Sequence, residues 1–553
     1  MDGQMPESRA LTTRSIVIGA IGSIILTASS LYMALRMGAL PFPIVFAALT
    51  SVLILRAFGS TNLHEANVTH AAMSAGSMVA GGLAFTIPAL WISDSNASIS
   101  LVEILGVSII GTIVGLIACH VFQPYFIRDK KLPYPIGLSA ADTLKATTQT
   151  GAKQGKALFG GMGVAALWAL LRDTFGLLPQ VLFSSGAFPG VAFGVMNSPM
   201  ILSLGFIIGT TMAGVWFLGS LIGNFGIVVA LPALGICSVE VADAIRKSVG
   251  LGLMLGVGFG VVFINIYDLI RAKKNYKSQD SLEKQDIWAL KTPKSYTALI
   301  SCGCVALACI FFNLNLLASI ILIAATWFCI WLSGWLTGTT GVNPMEIFGV
   351  IVLLLLQAIF HEAISIKVLF MCAGVVAVGC GVCGDVMNDL KAGDVLQTNP
   401  RDQFAGMLIG GLIGSVISAL VLTALHTAYG SGAFGPESMF VSTQANVVAT
   451  MAGGIPHMQG FIAGLIIGCI LACLKLPVMT LGLGVYLPFC LSAGAGVGAL
   501  IKLIFDKINS KKTDEAKLES QACQQAVASG VLGGESLVGV ICALIIMCSV
   551  LLS

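Results

Sequence analysis

Charged side chains are scarce in this chain of 553 residues. They make up 10% of the sequence, whereas a soluble domain carries about 25%. Hydrophobic residues make up 56%, and the mean hydropathy is +0.94. Because a soluble fold of this size could not bury so many apolar side chains, the composition excludes a soluble globular protein and predicts a membrane protein.

Several patterns that would indicate other activities are missing. The net charge of +3 gives no electrostatic support for binding nucleic acid. The phosphate-binding pattern G-x4-G-K-[ST] is absent, which argues against direct drive by ATP. The His-Glu pairs at 64–65 and 361–362 lack the second histidine of H-E-x-x-H, and the Cys380 and Cys383 pair has no partner pair. We therefore predict no enzymatic activity, no cofactor and no metal site.

Apolar segments recur along the whole chain and predict an all-α polytopic transmembrane bundle of about 14–16 spans. Some of them are too short to cross a hydrocarbon core of about 30 Å, so we expect re-entrant or broken helices among them. The predicted segments are 15–37, 41–58, 66–90, 101–126, 156–177, 200–218, 220–236, 247–270, 296–313, 316–334, 345–360, 366–384, 404–427, 457–474, 477–503 and 523–552.

The chain divides in sequence at one basic loop. Residues 271–294 carry seven lysines and arginines, so the positive-inside rule predicts a cytoplasmic linker. It would separate an N-terminal transmembrane half, 1–270, from a C-terminal half, 295–553. Leu-Pro motifs that introduce apolar segments suggest internal repeats, which many transporters contain. Glycines at 252, 256 and 260 and at 460, 464 and 468 predict closely packed helices.

A carboxylate lies inside the last apolar stretch of the chain. Glu535 stands within the segment from about 522 to 553, which is otherwise apolar. A charge at membrane depth costs at least about 2.5–3.5 kcal/mol, so such groups usually face the bundle interior or a water-filled cavity. We therefore predict that the protein moves a polar solute and that Glu535 takes part in proton coupling.

The start of the third predicted span is unusually polar. Asn62 and Glu65 fit a capping box, which would be a structural role. Glu65 and His70 could instead form a proton relay, because both titratable groups would enter the membrane on this helix. Asn67 is three residues from His70 and is a candidate for binding substrate.

Two further segments contain candidate substrate-binding residues. Asn343 suits a helix cap that places Pro344 first and Glu346 third in the helix, and such a helix N-terminus would attract a substrate carboxylate. An ordinary cap at the cytoplasmic face explains the same pattern. The segment 131–145 holds Tyr134 and Ser139 and predicts either a re-entrant hairpin that lines a cavity or an interfacial helix.

The residues around the seventh predicted span are also polar. Asn224 is a further candidate for contacting substrate, and Asp243 and Arg246 suit a salt bridge. The densest polar run between helices extends from residue 384 to 403. It predicts either a solvated loop or a gate with internal ion pairs, formed by Asp385, Asp389, Lys391, Arg401 and Gln403.

These motifs together resemble the oligopeptide transporter (OPT) family, which includes the yellow stripe-like metal-chelate transporters. The resemblance covers nearly the whole chain, and the run from Asp385 to Gln403 is its most specific part. It implies an OPT-type bundle and proton-coupled uptake of small peptides or peptide-like metal chelates. It also implies a bacterial inner-membrane location.

The function we predict is secondary active transport by alternating access, with proton-coupled uptake of small oligopeptides across the inner membrane. The alternative is proton-coupled transport of metal–chelate complexes of the siderophore or nicotianamine type. A channel is less consistent with the sequence, because polar groups are scattered singly along one long chain. The expected partners are the solute, protons and lipid, and a homodimer is one candidate assembly.

Overall fold

The structure of the protein is a computed structural model. Among its 553 residues it describes 10–37, 43–150, 152–275, 294–341, 343–436, 438–453, 457–474 and 476–552. Most of the predicted cytoplasmic linker, residues 276–293, lies outside the described residues. The prediction that this segment divides the chain into two transmembrane halves therefore stays a prediction.

The chain forms two compact units, and each takes segments from both predicted halves. Unit 1 consists of Met1–Gly155, Leu282–Ala452 and Val540–Ser553. Its helices are α1 (Thr13–Met37), α2 (Pro43–Ala57), α3 (Leu63–Ala84), α4 (Pro88–Ser93), α5 (Leu101–Gln123), α6 (Pro135–Thr150), α11 (Lys294–Phe312), α12 (Leu316–Thr340), α13 (Met345–Phe360), α14 (Ile366–Leu396), α15 (Pro400–Tyr429) and α16 (Thr443–Gly453).

Unit 2 consists of Lys156–Ser281 and Gly453–Gly539. An antiparallel hairpin of β1 (Val181–Ser185) and β2 (Phe193–Met196) lies in it. Its helices are α7 (Ala152–Ala169), α8 (Pro199–Ser220), α9 (Ala230–Ala233), α10 (Val239–Asn275), α17 (Met458–Cys473), α18 (Val478–Tyr486), α19 (Phe489–Asn509) and most of α20 (Asp514–Leu552).

Ten helical segments among the described residues are long and apolar enough to cross a membrane, and three shorter apolar helices accompany them. This confirms the prediction of an all-α polytopic membrane protein. The ten are Thr13–Arg36, Leu63–Ser93, Leu101–Asp129, Pro199–Ala233, Ser295–Phe312, Leu316–Thr339, Ile366–Leu396, Pro400–Tyr429, Phe489–Asn509 and Ala516–Ile546; the shorter ones are Ala47–Ala57, Met345–Phe360 and Met458–Cys473.

One of these long segments contains a break in its helix. Gly209 in α8 has φ 83° and ψ 166°, which is not a helical conformation. A positive φ is accessible to glycine without steric penalty, because glycine has no Cβ. The structure thus contains one broken helix of the kind the sequence led us to expect.

Glycine rows hold helices together at short distance, as predicted. In unit 2, a Cβ on Gly256 of α10 would lie 2.8 Å from the Cys469 nitrogen, and one on Gly468 of α17 would lie 2.5 Å from the Leu253 carbonyl oxygen. In unit 1, α3 and α15 approach each other through Gly406 and Gly414 in the same way. Such close backbone approach is the means by which small residues stabilise helix pairs in membranes.

Candidate functional site

A group of buried polar side chains joins two long helices of unit 1. It comprises Asn67, His70 and Ser74 on α3 and Asp385 and Asp389 on α14, and we call it the α3–α14 cluster. All five side chains are buried, with relative exposures of 0–2%. Spacings of three and four residues place the α3 members on one face of that helix.

Two contacts define the geometry of the α3–α14 cluster. Ser74 Oγ donates a hydrogen bond of 2.8 Å to Asp385 Oδ2. One turn away, His70 Nε2 lies 3.5 Å from Asp389 Oδ1. The earlier residue on α3 pairs with the later one on α14, so the two helices run antiparallel and their polar faces meet over at least two turns.

Several polar atoms in this region accept or donate no hydrogen bond among the described residues. They are both carboxylate oxygens of Asp389, both polar side-chain atoms of Asn67 and Oε1 of Gln403 on α15. Gln403 Nε2 donates to the Asp389 carbonyl oxygen at 2.6 Å, so Gln403 is held beside the cluster. A buried polar atom without a hydrogen bond costs about 1–3 kcal/mol, and its presence calls for an explanation.

The predicted solvated loop from Asp385 to Gln403 is wrong. Helix α14 continues to Leu396, and only residues 397–399 separate it from α15. Asp385 and Asp389 are therefore helical and buried. Ser74 on α3 donates to the Asp385 carboxylate, and His70 on α3 lies 3.5 Å from that of Asp389. Lys391 Nζ lies 3.4 Å from Asp394, while Arg401 is exposed. A gating role for these residues stays a prediction.

Glu65 is held away from His70. Its carboxylate accepts hydrogen bonds from Arg14 Nη2 at 2.6 Å, Thr12 Oγ1 at 2.7 Å and Thr61 Oγ1 at 2.9 Å. The Asn62 side chain accepts from the Glu65 backbone nitrogen, which confirms the helix cap, but the Glu65 carboxylate does not complete the predicted capping box because it bonds these other groups. The structure brings His70 together with Asp389 on another helix rather than with Glu65.

A second buried carboxylate lies in unit 2. Arg172 Nη2 lies 2.7 Å from Glu535 Oε1, and Ser198 Oγ lies 2.8 and 3.0 Å from the two carboxylate oxygens. The Met200 backbone nitrogen donates to Oε2 at 2.8 Å. Because Ser198 caps α8, the Glu535 carboxylate occupies the positive end of that helix and pairs with a cation as well.

The predicted cap at Asn343 is wrong. Helix α13 begins at Met345, and Pro344 precedes it without a side-chain capping hydrogen bond. Asn343 instead accepts from Ser333 Oγ at 2.7 Å and donates to the Cys380 carbonyl oxygen at 2.8 Å. Because these partners on α12 and α14 hold the Asn343 side chain, it does not cap α13. Glu346 is buried in the first turn of α13.

The other candidate substrate-binding residues are not members of the α3–α14 cluster. Tyr134 is buried, and its hydroxyl donates to the Gly334 carbonyl oxygen at 2.9 Å. Ser139 is exposed on α6. Asn224 is buried in unit 2, where its Nδ2 donates to the Ser220 carbonyl oxygen at 3.0 Å. Of the six candidates, Asn67 is the one that lies in the α3–α14 cluster.

Three residues that shape these sites were not among the predicted ones. Ser74 belongs to the polar face of α3, and its spacing of four from His70 was a usable signal. Arg172 lies inside a predicted apolar segment, so the rule applied to Glu535 could have identified it. Ser198 precedes Pro199 and α8, which is a recognisable cap pattern. The predicted salt bridge of Arg246 with Asp243 is confirmed at 2.6 Å.

Comparison with known proteins agrees with this architecture. The family described as OPT oligopeptide transporter protein matches residues 10–546. A Haemophilus influenzae protein provisionally named an oligopeptide transporter is 24% identical over 94% of this chain and 93% of its own length. The metal-nicotianamine transporter YSL3 of Arabidopsis thaliana is 23% identical over 63% of this chain and 57% of its own length.

A shorter match has a higher identity. The metal-nicotianamine transporter YSL2 of Oryza sativa subsp. japonica is 30% identical over 30% of this chain and 27% of its own length. The family match extends over nearly the whole chain and includes both units and both buried carboxylate sites. The chain belongs to the OPT family of oligopeptide transporters, whose members are transporters and not enzymes.

Proposed function

We propose that this protein takes up small oligopeptides across a bacterial inner membrane by alternating access and that proton movement drives the uptake. The observation that carries the proposal is the pair of His70 Nε2 and Asp389 Oδ1, 3.5 Å apart and fully buried on two long apolar helices. Intramembrane acids and histidines of this kind are the usual elements of proton relays in transporters.

The chemistry of the pair supports a proton carrier. Imidazole changes its charge near neutral pH, and burial destabilises the ionised form of a carboxylate that has no ion-pair partner. A proton on His70 would create an ion pair with Asp389, and loss of that proton would leave the Asp389 charge unpaired. Asp385 lies one turn away and extends the path along α14. Opening the cluster alternately to each side of the membrane would couple this exchange to solute movement.

Glu65 and Glu535 suit proton exchange less well than the sequence predicts, because neither is an isolated acid in the membrane. Arg14 pairs with Glu65 and Arg172 with Glu535, and hydroxyl donors add to each carboxylate. Such partners offset the cost of burying a charge, whereas no lysine or arginine among the described residues forms an ion pair with Asp389. We therefore assign proton exchange to His70 and Asp389 first and regard the two glutamates as structural anchors.

The proposed solute follows from the relative that matches over 93% of its own length, which is named for oligopeptides. A peptide offers an ammonium group and a carboxylate, and Asn67 has buried polar atoms that the described residues leave without hydrogen bonds. Tyr134, Ser139, Asn224, Asn343 and Glu346 stay predictions as contact residues.

The decisive experiment measures uptake of radiolabelled di- and tripeptides into proteoliposomes, with and without an inward proton gradient. We expect accumulation above equilibrium with the gradient, and its loss in Asp389→Asn and His70→Gln. Asp94→Asn is the matched control, because Asp94 is an exposed residue after α4. Uptake that is the same with and without the proton gradient, or that persists in both cluster variants, would refute the assignment of proton exchange to His70 and Asp389.

Transport of metal chelates is the second candidate function. It is favoured by the two plant relatives named for metal-nicotianamine. Among the described residues no group of three His, Cys, Asp or Glu side chains could hold a metal ion, so a metal would have to travel inside its chelate. Competition of iron– or nickel–nicotianamine with labelled peptide in the same proteoliposomes separates the two solutes.

A further inference from the structure

The α3–α14 cluster has an excess of negative charge and of oxygen atoms. Two carboxylates, Asp385 and Asp389, face at most one positive group, His70. No lysine or arginine in the described part of the chain forms an ion pair with either aspartate. This distinguishes Asp389 from Glu65 and Glu535, whose carboxylates are paired with arginines.

The oxygens without hydrogen bonds lie on three different helices of unit 1. Asn67 Oδ1 belongs to α3, the two Asp389 carboxylate oxygens to α14 and Gln403 Oε1 to α15, and all are buried. A buried amide left without a partner loses the full free energy of its hydration. Three such side chains in one region indicate that something absent from the protein chain itself satisfies them.

The register of the helices brings these side chains to the same level. Ser74 pairs with Asp385 and His70 with Asp389, so the next turn of α3 toward its N-terminus, at Asn67, lies beside the turn of α14 at Gly393. A Cβ on Gly393 would collide with Gln403 Oε1, which places that oxygen at the same turn. Gln403 is also tied to the Asp389 carbonyl oxygen.

We propose that Asp389, Asn67 and Gln403 form a binding site for a dehydrated sodium ion. Carboxylate and amide oxygens are the ligands that hard cations prefer. A monovalent ion balances the charge of Asp389, while Ser74 supports Asp385 by its hydrogen bond. The close packing of α15 on α3 at Gly406, where a Cβ would lie 3.1 Å from the Val68 carbonyl oxygen, favours a small ion.

The site shares Asp389 with the proposed proton exchange, but its test measures binding of an ion and not transport, so the two proposals can fail separately. The test uses the purified full-length protein in detergent, at about pH 8, where an ordinary histidine is neutral. Its thermal unfolding is measured in NaCl, KCl and N-methylglucamine chloride at equal ionic strength. A ligand that binds the native state alone raises the unfolding temperature in a saturable way.

We expect sodium to raise the unfolding temperature above that in potassium or N-methylglucamine, and one ²²Na⁺ to be retained per chain. Asp389→Asn removes the only charged ligand of the proposed site and should weaken sodium binding about tenfold or more, because an amide oxygen attracts a cation less strongly than a carboxylate does. Asn67→Leu and Gln403→Met keep the size and the charge of the region and should also lose the sodium response.

Asp94→Asn serves as the control that keeps the wild-type sodium response. Equal stability in the three salts together with no retention of ²²Na⁺ would overturn the site, and so would an unchanged sodium response in both Asn67→Leu and Gln403→Met. If Asp389→Asn fails to fold, the sodium responses of Asn67→Leu and Gln403→Met still test the proposed site. A sodium response without proton-driven uptake would refute the proposed function alone.

Discussion

Arg172 and Glu535 form an ion pair of 2.7 Å in which both side chains are fully buried. They stand 363 positions apart in sequence and meet at the N-terminus of α8. The carboxylate thus pairs with a cation, a helix N-terminus and the Ser198 hydroxyl at once. This arrangement indicates a structural anchor within unit 2.

The first prediction follows from that pair. Glu535→Gln removes one of the two carboxylates that pair with buried Arg172 and leaves Asp173, 2.6 Å from Arg172 Nη2, as the other. Breaking a buried pair costs up to about 3–5 kcal/mol. We expect a large fall in unfolding temperature in detergent. Glu103→Gln is the control: Glu103 pairs with Lys367 at a partly exposed site, and such pairs contribute about 0–1 kcal/mol. Similar losses in the two variants would contradict the anchor.

The glycine rows provide a second prediction. Gly256→Val would push side-chain atoms against the backbone of α17, since even a Cβ would lie 2.8 Å from the Cys469 nitrogen. Overpacking of this kind typically costs about 1–3 kcal/mol, and thermal unfolding would measure it. Gly303→Ala in α11 is the control, because its Cβ would meet nothing within 4 Å. A tolerated valine at 256 would show that the two helices can separate.

Much of this architecture follows from sequence because its causes are local. The depth of Glu535 in an apolar segment predicted its burial, and the spacing of glycines predicted close helix packing. The path of the chain from Asp385 to Asp389 was predicted wrongly for the opposite reason. A dense polar run indicates a loop unless a distant helix satisfies it, and the partners Ser74 and His70 lie more than 300 residues away.

The cap at Asn343 failed for a related reason. Local preference placed Asn343 at the start of α13, yet its amide bonds with Ser333 and the Cys380 carbonyl oxygen. Tertiary hydrogen bonds outweighed a local pattern there, whereas the cap at Asn62 has no such competitor and was predicted correctly. The candidate site could therefore not be predicted from sequence, because its residues come together only through the packing of α3, α14 and α15.

The confirmed cap gives the third prediction. Asn62→Ala removes the acceptor of the Glu65 backbone nitrogen and should destabilise the protein by about 0.5–2 kcal/mol. Asn62→Asp keeps an acceptor at the same place and should restore most of the loss. The measurement is thermal unfolding of the three proteins side by side. If alanine and aspartate behave alike, the cap does not stabilise α3.

The last prediction separates a gate from a surface ion pair. Lys391 Nζ lies 3.4 Å from Asp394, and Arg128 lies 2.9 Å from the same carboxylate, all three partly exposed. Lys391→Met should therefore change the free energy of unfolding by no more than about 1 kcal/mol. If the residues near the end of α14 form a gate, initial rates of peptide uptake will nevertheless fall severalfold, because the charge that orders this end of the helix is gone.

Lys367→Met is a matched control at the other end of α14, where Lys367 pairs with Glu103 at 2.7 Å. Equal uptake by the two variants, at equal amounts of protein in the membrane, would refute the gate. A loss of uptake confined to Lys391→Met would assign Lys391 a role in transport, because its small contribution to stability could not explain that loss.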